Sequence, residues 1–206
     1  NERDLISMKQ QVVVIHGGNA YDSYEEYLND LKNRELDLEK LKRKGWKASL
    51  PEALGERYEI LALRMPCPDN AKYSEWKILF EKLFPFLQEN VIFVGHSLGG
   101  IFLVKFFSEE ILPKKARAVF LVAAPHNTVM EHPLADFILK GDLSGLSDQS
   151  REIYLYHSQD DEVVPFSSFE SFVRAFPEAK QSVFVNRGHF NQDEFPEIVE
   201  DITSLA

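Results

Sequence analysis

Gly95-His96-Ser97-Leu98-Gly99-Gly100 carries the clearest chemical signal in the chain. A serine hydroxyl is a weak nucleophile until a base within hydrogen-bond reach takes its proton. Glycine two residues to either side of Ser97 predicts a sharp strand-to-helix turn, which strains the serine backbone and exposes Oγ. The helix that follows would offer its first backbone N–H groups and its dipole to a developing oxyanion. Ser97 is therefore the expected nucleophile, with the Leu98 N–H as one oxyanion donor. The bare pattern arises by chance in many chains; here an apolar run at 91–94 leads into it and an apolar helical pattern leads out.

The base expected for Ser97 is His189, in Arg187-Gly188-His189-Phe190 after the last apolar run, where Gly188 allows a sharp return toward the serine. Among the other histidines, His96 lies inside the turn and is expected to pack behind the nucleophile. His126, His132 and His157 have no partner that spacing identifies, and no H-E-x-x-H pattern suggests a metal. A carboxylate must orient the base and stabilise its imidazolium. Asp160, Asp161 and Glu162 compete for that role after another apolar run. The D-x-x-x-P spacing to Pro165 favours Asp161, with Asp160 second. A further oxyanion donor is expected after the first apolar run, in His16-Gly17-Gly18-Asn19. Gly18 is preferred because a glycine N–H can approach closely, and Asn19 is the alternative.

These residues need a frame that brings them together. Apolar strand candidates occur at residues 12–16, 58–63, 91–94, 118–123, 153–157 and 182–185, several of them continuously apolar as in parallel strands covered on both faces. Helical patterns intervene: one opened by a Ser23/Glu26 capping box, then 74–87, 98–112, 167–176 and 193–205. Pro85 should end or kink the second. Alternating strands and helices predict an α/β sheet whose ligands bind beyond the carboxyl ends of the strands. Each residue assigned to chemistry follows a predicted strand. Two longer segments, Asn33 to Arg57 and Pro125 to Arg151, could decorate the surface or form a lid.

Composition narrows the function classes. The 206 residues carry a net charge of -10, which excludes an electrostatic nucleic-acid binder. The basic stretch from Lys40 to Lys47 follows acidic residues and reads as a solvated helix face with pairs such as Glu39 and Arg43. Cys67 is the sole cysteine, so no intramolecular disulfide forms. The apolar runs are too short for a membrane span. A cytoplasmic enzyme acting on a small molecule is the expectation.

His16-Gly17-Gly18, the Ser97 hexapeptide, Ser158-Gln159-Asp160-Asp161 with Val164-Pro165, and Gly188-His189-Phe190 together resemble the small α/β-hydrolases of the retinoblastoma-binding-protein serine-hydrolase type. The resemblance spans roughly Val12 to the C-terminus. It implies an α/β-hydrolase fold as a single domain over 1–206, with a six-stranded, mainly parallel sheet in order 2-1-3-4-5-6, helices on both faces and minimal or no cap. It also implies a Ser97, Asp161, His189 triad that cleaves an ester, thioester or amide with no cofactor or metal. The L-x-C-x-E motif is absent around Cys67, so a retinoblastoma partner is not expected. Rival readings are a binding or scaffold protein on the same fold, or an acyltransferase using the same residues.

Overall fold

The computed structural model describes residues 8–127 and 133–205. The valine-rich run near the start forms β1 (Gln10–Ile15), where β-branched side chains suit a pleated strand covered on both sides. Val13 and Ile15 enter one apolar cluster, while Val12 and Val14 enter another. Every residue of β3 (Ile92–His96) and β4 (Ala118–Val122) is buried. With β2 (Tyr58–Leu63), β5 (Ile153–Ser158) and β6 (Lys180–Phe184) these make a six-stranded sheet in the order β2-β1-β3-β4-β5-β6. All of its pairings are parallel. The expected α/β-hydrolase architecture and strand order are those observed.

The helices are α1 (Tyr24–Asn33), α2 (Leu38–Lys42), α3 (Trp46–Leu54), α4 (Tyr73–Glu81), α5 (Leu98–Glu109), α6 (Ser144–Gln149), α7 (Phe166–Ala175) and α8 (Pro196–Ser204). Side chains from α4, α5, α6 and α7 build one cluster; α3 and α8 contribute Trp46, Leu50, Ile198 and Ile202 to the other. Most of the phenylalanines enter the first cluster, while Phe120, Phe190 and Phe195 enter the second. Phe80 of α4 sits edge-on to Phe102 and Phe106 of α5, with ring centroids 5.3 and 4.8 Å apart, the arrangement that the ring quadrupole favours.

Several boundaries differ from expectation for local reasons. The 74–87 helix stops at Glu81, and a separate 3-10 turn spans Phe84–Phe86, because Pro85 has no N–H to continue the ladder. The last helix begins at Pro196, whose fixed φ suits the first helical position. Ser23 does accept the Glu26 N–H, but Glu26 reaches back to the Asp22 N–H instead of completing a reciprocal box. In the 33–57 segment two short helices replace one. Glu39 pairs with Lys42 at 2.7 Å rather than with Arg43, because α2 ends at Lys42 and Arg43 is extended.

Part of the second long segment belongs to the body of the protein. Phe137 and Leu146 are fully buried, and Lys105 Nζ donates to the Ile138 carbonyl at 3.1 Å. Asn127 exchanges two hydrogen bonds with the Leu139 backbone. Residues 128–132 of the Pro125 to Arg151 segment, including His132, lie outside the described residues. Among the described residues, no helix is long and apolar enough to cross a membrane.

Candidate active site

In the sheet β1 lies between β2 and β3, so the chain's direction of growth reverses there and leaves a crevice beyond the carboxyl ends of β1 and β3. Ser97 stands at that point, between β3 and α5. Its backbone has φ 54 and ψ -121, a strained conformation for a residue with a side chain. The strain is held by neighbours: Ser97 N–H donates to the Val122 carbonyl at 2.8 Å, and the Ser97 carbonyl accepts from Gly100 at 2.8 Å. A Cβ at Gly95 would lie 2.6 Å from the Gly99 carbonyl oxygen, and one at Gly99 would lie 2.3 Å from that of Ile15. Only glycine fits either place. Leu98 opens α5, so its N–H has no partner within the helix.

His189 projects from a loop that leaves β6. Its Nδ1 lies 2.8 Å from Asp161 Oδ2. Because a carboxylate can only accept, Nδ1 carries the proton and Nε2 is left as a base. The Asp161 side chain is fully buried and that of His189 is 12% exposed. The other carboxylate oxygen, Oδ1, accepts the N–H groups of Val163 (2.8 Å) and Val164 (3.0 Å), which fixes the carboxylate plane. His157 stands 3.7 Å from Asp161 Oδ2, but its Nε2 donates to the Val164 carbonyl at 2.9 Å; burial lowers its pKa.

The adjacent carboxylate does something different. Asp160 Oδ1 accepts the Gly188 N–H at 2.9 Å and also the Ser158 hydroxyl, whose oxygen in turn accepts the Arg187 N–H at 3.0 Å. These bonds, Ser158 first, lower the Asp160 pKa. Asp160 therefore clamps the loop just before the histidine. On the far side Phe190, at φ 54, buries its ring completely.

The loop after β1 is held by a histidine that sequence spacing did not single out. His16 Nε2 accepts the Met65 N–H at 2.9 Å, so its Nδ1 bears the proton and donates to the Gly17 carbonyl at 2.6 Å. In a planar trans peptide the N–H points opposite to the C=O. Pinning the Gly17 carbonyl thus fixes the direction of the Gly18 N–H. The Asn19 N–H is already committed to the Pro68 carbonyl at 2.8 Å, which leaves Gly18 as the better donor of the two.

His96 lies behind the serine. Its Nε2 donates to the His189 carbonyl at 2.9 Å, and its Nδ1 accepts from Lys47 Nζ at 2.7 Å. Burial, then the nearby Lys47 charge, drives the His96 pKa well below the ordinary histidine value, so the ring is neutral. Lys47 was read as part of a solvated basic face. A contact between residues 47 and 96 has no local signature, and only the fold reveals it.

Ser97, Leu98, Gly18, His96, His189 and Lys47 line one cavity of about 420 Å³, together with apolar side chains that include Leu134 and Val163. Among the described residues no hydrogen bond joins Ser97 Oγ to His189; such contacts are often long without substrate and tighten when it binds.

A family model for serine hydrolases matches residues 38–203. The chain belongs to the serine hydrolase family. This family member is 26% identical over 189 residues to YdeN of Bacillus subtilis (strain 168), a protein described as a hydrolase; the match covers 91% of the chain and 89% of YdeN. It is 25% identical to the serine hydrolase RBBP9 of Rattus norvegicus, over 72% of the chain and 78% of that protein. The solved structure of YdeN superposes with a TM-score of 0.71 at 20% identity, covering 96% of the chain and 98% of YdeN. An esterase of Exiguobacterium antarcticum superposes with a TM-score of 0.59 at 17% identity, over 96% of the chain and 91% of the esterase. The family match supports hydrolase chemistry, and the superpositions show the shared fold.

Proposed function

We propose that this serine hydrolase cleaves a carboxylic ester, thioester or amide of a small substrate through an acyl-enzyme on Ser97. The observation that carries this reading is the 2.8 Å contact of His189 Nδ1 with the buried Asp161, in the same cavity as the strained Ser97. In the first half-reaction Ser97 Oγ bonds to the acyl carbon as its proton passes to His189 Nε2. Asp161 stabilises the imidazolium, while the Leu98 and Gly18 N–H groups receive the oxyanion. Collapse breaks the bond to the leaving group, which takes the proton from His189. Water then attacks the acyl carbon with His189 again as base, the acid departs and Ser97 regains its proton. No step needs a metal or organic cofactor. The cavity's volume and apolar walls suit a small acyl group, which favours carboxylesterase-like specificity. The single cysteine is in keeping with a cytoplasmic setting.

The test is labelling with a fluorophosphonate, read by intact mass. One adduct is expected on the wild type and none on Ser97→Ala. Absence of an adduct on folded wild type would shift the reading to a binding protein on a hydrolase fold.

A further inference from the structure

Lys47 is an unusual residue to find in a small apolar cavity. It belongs to α3, and its Nζ lies 2.7 Å from His96 Nδ1 and 5.0 Å from the Trp46 ring centroid. Among the described residues, no carboxylate lies within ion-pair distance of Lys47, and none lines the cavity. Holding a half-buried ammonium without a counter-charge is costly, and such costs concentrate at functional sites.

The surroundings extend this picture. Lys47 also lines a neighbouring hollow of about 190 Å³ with Lys40, Arg43 and Lys44. Among the described residues, neither Arg43 nor Lys44 has a carboxylate partner within 4.0 Å, although the chain has 33 acidic residues against 23 Lys and Arg. A basic strip thus leads from α2 to Lys47, which also lines the cavity that holds Ser97 and His189. In an otherwise acidic protein, an anionic substrate would need such a local field to bind.

We propose that Lys47 determines specificity, selecting substrates that carry a carboxylate or other anionic group near the scissile acyl bond. The inference rests on the serine-hydrolase reading and narrows its substrate class. His96 uses its lone pair on one N–H of the ammonium, and the remaining donors of Nζ are free to meet an anion.

The experiment uses two aryl phosphonate probes of equal length, one ending in a carboxylate and the other in a primary amide. Their second-order labelling rates at Ser97 are measured near pH 7, and the quantity read is the ratio of the carboxylate rate to the amide rate. A ratio cancels any effect of a variant on the intrinsic reactivity of Ser97. The expected ratio is about tenfold or more in the wild type, near one in Lys47→Met, restored in Lys47→Arg and below one in Lys47→Glu. A wild-type ratio near one overturns the proposal. So does a ratio that survives in Lys47→Met, because Lys47 would then act only by positioning His96. Labelling by neither probe on folded wild type would instead remove the hydrolase reading on which the proposal stands.

Discussion

The indole N–H of Trp46 donates to the carbonyl of Phe190 at 3.0 Å, tying the start of α3 to the loop that carries His189. The same helix end grips that loop through Trp46 N–H to the Gln192 carbonyl, Gly45 N–H to the Asp193 carboxylate and the Ser49 hydroxyl to the Asp193 carbonyl. The 33–57 segment is therefore a brace for the base as well as a wall of the cavity.

Trp46→Phe leaves the buried Phe190 carbonyl without its donor, which should cost about 1–3 kcal/mol of stability in urea unfolding. Labelling of Ser97 should slow as well. A variant that is destabilised but labels at the wild-type rate would show that the other bonds suffice to hold the loop.

Asp161 and Asp160 should separate cleanly in labelling kinetics. Asp161→Asn removes the charge that fixes the His189 tautomer and should slow labelling roughly 10³–10⁴-fold. Asp160→Asn loosens a clamp outside the proton path, and about a tenfold loss is expected. The reverse ranking would reassign the triad.

Gly99→Ala places a methyl group 2.3 Å from the Ile15 carbonyl oxygen, a clash with backbone at the junction of β1 and α5. Neither partner can swing away as a side chain would. A loss of about 1–3 kcal/mol, or failure to fold, is expected from the thermal melt. An unchanged melting temperature would mean that α5 is not seated on β1 as described.

Glu152, just before β5, ties together the starts of β4, β5 and β6: it bonds Arg117 at 2.7 Å, Lys180 at 2.7 Å and the Tyr154 hydroxyl at 2.9 Å. The Lys180 bond is the largest cause holding its carboxyl down, at about 2. A depressed carboxyl pKa stabilises the fold above the unfolded value and ceases to do so as pH falls through the folded one. The stability gap between wild type and Glu152→Gln should thus be full above about pH 5 and close toward pH 2. A gap independent of pH would contradict this.

Lys47 is lowered to about 8 by burial. It faces neutral His96 on β3 and His189 beyond it, with Lys40, Arg43 and Lys44 on the α2 side. It is charged below pH 8 and loses its proton above. The charge preference in the probe ratio should therefore decline as pH rises through about 8, and a ratio flat from pH 7 to 9 would argue against an ammonium as the recognition group.

The central strands could be read from the chain because parallel strands write their burial as continuous apolar runs, and Ser97 and Asp161 each follow such a run; the strand order came with the family resemblance. The edge strand was less legible: residues 182–185 were expected and Lys180–Phe184 observed, since its exposed residues blur the pattern. The choice between two adjacent aspartates depends on loop geometry that a single residue of spacing does not encode. Contacts such as His16 with Met65 and Lys47 with His96 join segments 49 residues apart and exist only in the folded chain.

Trp46 and Lys47 are neighbours with separate duties, one braced against the 190–193 loop and the other open to the cavity. On the proposed role of Lys47, a change at residue 47 would retune substrate preference while Trp46 still braces the loop that carries His189.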